Sequence, residues 1–265
     1  MSIQPRQLIL KLILGADDET LSARGAIACC ALFGIQDNCA RVALNRLAAT
    51  GMIEGVERGL YRLGHKATAL AGEVRTWRSA EARTRAWNGS FVAVHVGGLG
   101  RTDRAALRTR ERAFELLGFR ELETDLFVRP DNLVGGVAGV RERLARLGVD
   151  ALVFLASELD PARDARARGL WDGKALTRGY VATREKLERW LAKSDHLTRE
   201  LSARESFLLG SAAIRTIVFD PLLPAPLVDV EARRSLLATV KEFDERGHAI
   251  WRSLFARLHP SEAAA

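Results

Sequence analysis

The stretch from Phe33 to Leu63 constrains the fold most, because it places a helical pattern directly before two short strand-like runs. Apolar residues at helical spacing define one side of a helix, namely Ala40, Ala43, Leu44 and Leu47. Gly51 predicts the end of this helix, since glycine adopts the left-handed cap conformation without steric cost. Met52–Val56 and Leu60–Leu63 then flank the tight-turn tripeptide Glu57-Arg58-Gly59. The stretch therefore predicts a helix followed by a β-hairpin.

A second helix is predicted just before this one. Ser22 can cap it by accepting a backbone hydrogen bond, and it runs through Ala26 and Ile27 to the turn Phe33-Gly34-Ile35. A helix, a short turn containing glycine and a second helix form the helix-turn-helix arrangement. Together with the hairpin, this order predicts an N-terminal winged helix-turn-helix. The pattern leaves one alternative open, a helical hairpin inside a larger core.

The polar side of the predicted helix is suited to DNA. Asn and Arg side chains make paired hydrogen bonds to purine edges in the major groove, and valine methyl groups suit the methyl group of thymine. Arg46 and Arg58 are expected to bind phosphates, which fixes the register on the duplex without specifying sequence. The predicted DNA-binding residues are Gln36, Asn38, Arg41, Val42, Asn45, Arg46, Arg58 and Arg62.

The pattern changes further along the chain. A long helix is predicted from His65 to about Arg85, and from Trp87 to Asp160 strand-like and helical runs follow in the order βαββαβ. That order predicts a ferredoxin-like domain with both helices on one face of the sheet. The remainder is predicted to be helical, interrupted at Asp220-Pro221-Leu222-Leu223-Pro224 because proline cannot continue a helix. The predicted class is α+β, with a winged helix and linker helix in 1–86, a ferredoxin-like domain in 87–160 and an all-helical domain in 161–265.

Composition narrows the partners and the compartment. The net charge of +7 and the pI of about 9.8 favour nucleic acid, although most of the basic surplus lies after His65 and gives only mild support. The 3 cysteines, of which Cys29 and Cys30 are adjacent, offer neither a disulfide framework nor zinc-like spacing. No apolar run approaches the roughly 20 residues needed to span a bilayer. We therefore expect a cytoplasmic protein without a membrane partner.

The sequence predicts no catalytic site, no metal site and no cofactor. Ser211 lacks the second glycine of a nucleophile elbow. The histidines are scattered without zinc-binding spacing or a nearby nucleophile pattern, at His65, His95, His196, His248 and His259. Glycines between Gly97 and Arg101 could expose amides to a phosphate, but a flexible connection is the preferred interpretation.

Several segments together resemble the PaaX-type repressors of phenylacetic acid catabolism. In chain order they are Phe33-Gly34-Ile35 with Ala40–Leu47 and Gly51, then Tyr61-Arg62-Leu63, Arg104–Arg108 with Leu117-Gly118-Phe119, Leu170-Trp171-Asp172 with Tyr180, and Asp220–Pro224 with Trp251. The resemblance implies a homodimeric bacterial repressor with a winged helix domain, a ferredoxin-like domain similar to the Cas2 fold and a helical C-terminal domain. It also implies an aryl-acetyl-CoA effector, usually phenylacetyl-CoA.

This chain departs from the family in its central region. Gly97–Arg101 replaces the family's turn after the first central strand, and Phe127 stands where tryptophan is common. The first central strand ends in Val94-His95-Val96, without the aspartate that the nuclease version of this fold uses for metal, so the resemblance implies no nuclease activity. The residues expected to bind the effector, as aromatic wall and anion anchor, are Trp171, Tyr180 and Arg215. The two aromatic residues could instead belong to the core, because buried aromatics dominate packing.

These patterns predict a cytoplasmic repressor, associated with the nucleoid when bound, that its effector releases from DNA. A dimer would place two reading helices on successive major-groove faces, which predicts an inverted-repeat operator in double-stranded DNA. Two alternatives remain open. One is a dimeric DNA-binding protein that responds to no effector, and the other is an enzyme with an accessory winged helix.

Overall fold

The computed structural model describes residues 3–16, 19–100 and 102–258. Within these ranges the chain forms helices α1 (Pro5–Gly15), α2 (Ala23–Leu32), α3 (Asp37–Ala49), α4 (His65–Arg75), α5 (Arg104–Leu117), α6 (Gly136–Arg146), α7 (Pro161–Arg168), α8 (Gly173–Lys193), α9 (Arg199–Val218) and α10 (Val230–Leu258). The strands are β1 (Thr20–Ser22), β2 (Ile53–Glu57), β3 (Leu60–Leu63), β4 (Phe91–His95), β5 (Arg120–Glu123), β6 (Leu126–Pro130) and β7 (Leu152–Ala156). The chain is therefore a mixed α+β protein with two small sheets and a helical C-terminal region, as predicted. Arg101 and His259 lie outside the described residues.

The chain divides into two compact units. The first unit comprises Met1–Arg75, Arg189–Ala212 and Lys241–Ala265, and the second comprises Thr76–Glu188 and Ala213–Val240. Helices of the C-terminal region thus contribute residues to both units. The division into domains 1–86, 87–160 and 161–265 stays a prediction.

A three-stranded antiparallel sheet in the first unit has the order β1-β3-β2. Strands β2 and β3 form the predicted hairpin, and Gly59 in its turn has a φ of 81°, a conformation that glycine adopts without strain. The third strand, β1, was not predicted, because three residues are too few for alternation to show.

The core of the first unit joins the two ends of the sequence. Buried side chains of α1, α2 and α3 form one apolar cluster that includes Leu8, Ile9, Ile13, Cys29, Cys30, Leu44 and Leu47. Phe207, Trp251 and Phe255, from α9 and α10, pack against this cluster. The rings of Phe33 and Phe207 meet edge to face with centroids 5.4 Å apart. The N-terminal helices therefore complete their core with aromatic residues about 200 positions further along the chain.

A four-stranded antiparallel sheet in the second unit has the order β5-β6-β4-β7. The elements around it follow each other as β4-α5-β5-β6-α6-β7. Helix α5 is capped at its start by Asp103, whose carboxylate accepts two backbone N–H bonds, and at its end by Gly118 with a φ of 73°. The name ferredoxin-like or Cas2-like for this arrangement stays a prediction.

The long helix predicted from His65 to about Arg85 is wrong in its second half. Helix α4 ends at Arg75, and two 3₁₀ turns follow it. Backbone hydrogen bonds from Val134 N–H to the Arg83 carbonyl and from Arg85 N–H to the Asn132 carbonyl draw residues 83–85 into an extended pairing. An extended backbone cannot continue the helical hydrogen bonds, so no single helix can run as far as Arg85.

Within the described part of the chain, no helix is both long and apolar enough to cross a membrane.

Candidate nucleic-acid interface

Helix α3 presents two sides of opposite character. Its apolar side is buried and consists of Ala40, Ala43, Leu44 and Leu47, which pack in the cluster formed with α1 and α2. Because these residues recur every three or four positions, their burial fixes the rotation of the helix about its axis. The opposite side of α3 is consequently held facing outward.

The outward side carries the residues that the sequence predicted. Asn38, Arg41, Val42, Asn45 and Arg46 are all exposed, and Val42 retains 41% of its accessible surface. Gln36, the residue before the first helical turn, is exposed as well, and its side chain makes no capping hydrogen bond. The structure therefore brings five of the eight predicted DNA-binding residues together on one helix, with a sixth, Gln36, directly before it.

The other two predicted residues lie on the hairpin. Arg58 is exposed in the turn between β2 and β3, and Arg62 is exposed on β3. The Arg62 Nε donates to the Glu54 carboxylate at 2.7 Å, with both side chains largely in solvent. Among the described residues, Arg58 makes no ion pair, and neither do Arg41 and Arg46. The hairpin thus offers one arginine that is free for an external anion and one that already has a partner.

A groove lies beside the outward side of α3. It has a volume of about 270 Å³ and is lined by Gln4, Pro5, Arg6, Asn38, Cys39, Val42, Ala43 and Arg46. The start of α1 therefore lies against α3 at this point. Sequence reasoning missed Arg6, because it used α1 only for its buried stripe; the signal available was an exposed cation directly after a helix-starting proline.

The three predicted effector-binding residues have different surroundings in the second unit. Trp171 is buried, and its indole N–H donates to the Gly118 carbonyl at 3.1 Å. Tyr180 is 1% exposed, and burial, reinforced by Asp220, raises the pKa of its hydroxyl. Arg215 is exposed and stacks on the Phe219 ring, with 4.6 Å from its Cζ to the ring centroid. Their role in effector binding stays a prediction.

A buried polar network fixes the Asp220–Pro224 segment. Arg129 is 2% exposed and donates to the Leu117 carbonyl, to the Asn132 side-chain oxygen at 3.0 Å and to the Pro221 carbonyl at 3.3 Å. Burial, together with the positive charges of neighbouring arginines, lowers the pKa of Arg129 to about 9. Asn132 in turn donates to the Leu222 carbonyl at 2.7 Å.

A second buried arginine completes this network. Arg233 donates to the Leu223 carbonyl at 2.7 Å and to the Glu81 carboxylate at 2.6 Å, and its Nη1 lies 3.8 Å from the Asp220 carboxylate. Burial raises the pKa of Asp220, and the charge of Arg233 opposes that rise. Sequence reasoning found the proline segment but missed both arginines, since each binds groups distant in sequence.

In the residues that the structure describes, no group of three or more His, Cys, Asp or Glu side chains is placed to hold a metal ion.

Part of the helical C-terminal region is similar to a known protein family. Residues 171–253 match the family model described as the PaaX-like protein C-terminal domain. This PaaX-like domain includes Trp171, Tyr180, the Asp220–Pro224 segment and Trp251, which carried part of the resemblance seen in the sequence. The predicted resemblance to PaaX-type proteins is confirmed.

A solved structure resembles nearly the whole of this chain. It is described as an uncharacterized protein, Rv0674, from Mycobacterium tuberculosis, with 25% sequence identity and a TM-score of 0.55. The similarity covers 94% of this chain and 99% of that chain. The comparison with curated proteins gave no match.

Proposed function

We propose that this chain is a DNA-binding transcriptional repressor of an aromatic or aryl-acetate catabolic operon, with a winged helix-turn-helix as its DNA reader. The observation that carries the proposal is the outward side of α3, where Asn38, Arg41 and Asn45 are exposed while the opposite side is buried. The PaaX-like C-terminal domain supports the same class, because that family suggests regulators of phenylacetate catabolism.

The dimensions of α3 suit base reading. Asn38 and Asn45 are seven residues apart, so they span about 10 Å of helix axis at about 1.5 Å per residue. That length covers about three base pairs at roughly 3.4 Å each. Asn38, Arg41 and Asn45 would contact base edges, with Gln36 and Val42 beside them.

The hairpin and the end of α3 would contact the backbone of the duplex. Arg46 and Arg58 would bind phosphates and fix the register of the reader. Arg62 would join them only by sharing or exchanging its Glu54 partner. Phosphate contacts of this kind supply salt-dependent affinity without sequence preference.

The active form would be a homodimer that binds an inverted-repeat operator. The element order of the second unit and its sheet order, β5-β6-β4-β7, support a Cas2-like domain between the reader and the C-terminal helices. An aryl-acetyl-CoA ester, similar to phenylacetyl-CoA, would release the repressor by binding one dimer arrangement better than the other. Trp171, Tyr180 and Arg215 remain the residues proposed to bind it.

Measured affinities for DNA test this proposal. Binding of the full chain to duplexes from the upstream regions of aryl-acetate catabolic genes, and to a shuffled duplex, is followed by fluorescence anisotropy. We expect Arg41→Ala to weaken operator binding by about 1–3 kcal/mol and to leave shuffled-duplex binding nearly unchanged. Arg204→Ala, an exposed arginine on α9, is the matched control. Equal binding of all duplexes by the parent, or operator binding by Arg41→Ala equal to the parent, would contradict the proposal.

The burial of Trp171 and Tyr180 favours one alternative, a DNA-binding protein that responds to no effector. Thermal unfolding with a panel of acyl-CoA thioesters distinguishes this alternative from the ligand-released repressor. A ligand at 100 times its Kd stabilises its protein by about 2.7 kcal/mol, which is readily measured. Stabilisation by an aryl-acetyl-CoA supports the ligand-released repressor, and the absence of any shift supports the alternative.

A further inference from the structure

We propose that the groove between the start of α1 and α3 binds one backbone phosphate of duplex DNA, held between Arg6 and Arg46. The inference rests on the proposed function and adds a phosphate site to it. Arg6 and Arg46 line the same groove of about 270 Å³, although they come from different helices. The site is thus formed by the packing of α1 on α3 and is absent from either helix alone.

The charge of the groove favours an anion. Both arginines are exposed, and among the described residues neither makes an ion pair. Some other exposed cations in the first unit are paired locally, as Arg62 is with Glu54 and Arg75 is with Glu19, so an unpaired pair of arginines on one surface is a distinguishing feature of the groove. The residues that line the groove include two guanidinium groups and no carboxylate. Two cations without counter-ions around one concave surface attract a phosphate, and arginine binds phosphate oxygens in a bidentate manner.

The remaining lining suits a nucleotide backbone. Pro5 supplies apolar contact for a deoxyribose, and the side-chain amide of Gln4 can donate to phosphate oxygens. Backbone phosphates and sugars receive at least half of the hydrogen bonds in protein–DNA complexes, from side chains of these types. A duplex backbone therefore matches both the polar and the apolar parts of the groove.

The position of the groove places this phosphate beside the bases that α3 would read. Asn38, Val42 and Arg46 recur every four residues and form one stripe along α3. Arg41 and Asn45 form the adjacent stripe, and Asn38 borders both. A phosphate bound between Arg6 and Arg46 would consequently fix the tilt of α3 relative to the bases.

The first experiment measures how operator affinity depends on salt. Each phosphate contact contributes about 0.9 to the slope of log K against log salt concentration. Because Arg46 alone can still neutralise the shared phosphate, we expect Arg6→Ala to change the slope little in the parent. In an Arg46→Ala background it should lower the slope by about 0.9, so that between 50 and 200 mM salt the affinity of the double variant falls about 3.5-fold less than that of Arg46→Ala. The ratio of operator to shuffled-duplex affinity should not change, and Arg6→Lys should restore most of the slope. Arg204→Ala, which removes an equal charge outside the groove, should bind like the parent.

The second experiment uses Cys39 as a reporter within the groove. Cys39 is exposed, whereas Cys29 and Cys30 are buried, and burial raises their pKa values to about 12 and about 11. Alkylation by iodoacetamide should therefore select Cys39, because the thiolate is the reactive form. We expect saturating duplex to slow alkylation of Cys39 at least fivefold, measured by mass spectrometry, in the parent and in Arg204→Ala.

The outcomes separate this inference from the proposed function. If the parent prefers its operator and depends on Arg41, but Arg6→Ala leaves the salt slope of Arg46→Ala unchanged, the two arginines share no phosphate and only this inference is overturned. The same follows if bound duplex leaves Cys39 alkylation unchanged. Protection of Cys39 by phenylacetyl-CoA and not by duplex would assign the groove to a small anion and would also overturn the inference. Failure of the parent to bind any duplex would overturn the proposed function itself.

Discussion

Two groups of arginines, one in each unit of this protein, have opposite surroundings. On α3 and the hairpin of the first unit, Arg41, Arg46 and Arg58 are exposed, and none has an ion-pair partner among the described residues. In the second unit, Arg129 and Arg233 are buried and donate to carbonyl oxygens around the Asp220–Pro224 segment. The exposed guanidinium groups can bind an external anion, while the buried ones hydrogen-bond to the protein's own backbone carbonyls. Net charge alone, at +7, does not distinguish these two uses.

The largest expected effect is the loss of a buried arginine. Arg129→Ala leaves the Leu117 and Pro221 carbonyls and the Asn132 oxygen without their donor. Removing one member of a buried charged network costs about 3–5 kcal/mol. Urea unfolding followed by tryptophan fluorescence measures this loss, with Arg204→Ala as the control that should change stability by less than about 0.5 kcal/mol. A loss below about 1 kcal/mol for Arg129→Ala would show that the buried network does not hold the segment.

A smaller effect concerns the pH dependence of the same network. Burial raises the pKa of Asp220 above its ordinary value, against the opposing charge of Arg233. Between the unfolded pKa of about 3.9 and the raised folded pKa, the folded carboxyl keeps a proton that the unfolded chain releases. The contribution of Asp220 to stability is therefore present below the unfolded pKa and is lost as pH rises through the folded pKa, by at most about 1.4 kcal/mol per pH unit.

Asp220→Asn tests whether Asp220 makes the protein less stable as pH rises. The amide keeps an oxygen that can accept from the Leu222 N–H, but it does not titrate. Unfolding free energies measured from pH 4 upward should fall less steeply for Asp220→Asn than for the parent. A steeper fall in the variant would contradict a raised pKa for Asp220.

The smallest expected effect is the change in stability when either of two hairpin arginines is replaced. Arg62 pairs with Glu54 in solvent, so Arg62→Ala should cost less than about 1 kcal/mol of stability. Arg58 makes no ion pair in the described structure, so Arg58→Ala should not measurably change the free energy of unfolding. DNA binding should show the reverse order: Arg58→Ala should lower the salt slope by about 0.9, and Arg62→Ala by less. Equal salt slopes for the two variants would mean that Glu54 does not hold Arg62 away from the duplex.

Local periodicity explains which features could be predicted from the sequence. The buried stripe of α3 and the alternation around the hairpin depend on residues a few positions apart, and both appear in the structure. The resemblance to PaaX-type proteins was visible in short segments, and one of these, Asp220–Pro224, lies within the matched residues 171–253. Contacts between residues that are far apart in the sequence produce no local periodicity, so they could not be predicted. Arg129 and Pro221 are 92 positions apart, and Arg129 reads in sequence as the ordinary end of a strand.

In the candidate site, too, local features could be predicted from the sequence and long-range ones could not. The side chains on one helix could be predicted, since their spacing determines which way they point. The groove beside them could not, because it exists only once α1 packs on α3. Arg6 has no periodic relation to Arg46, so only the folded chain reveals that they share a surface.

The aromatic residues that α9 and α10 contribute to the N-terminal core have a practical consequence for protein engineering. A fragment that stops after the hairpin would lose Phe207, Trp251 and Phe255 and would expose the apolar surface that they cover. Such a fragment should aggregate, so a chimera that grafts this N-terminal segment onto a foreign domain must also carry the helical segments 199–212 and 241–258. The N-terminal core therefore cannot be transferred as one contiguous stretch of sequence.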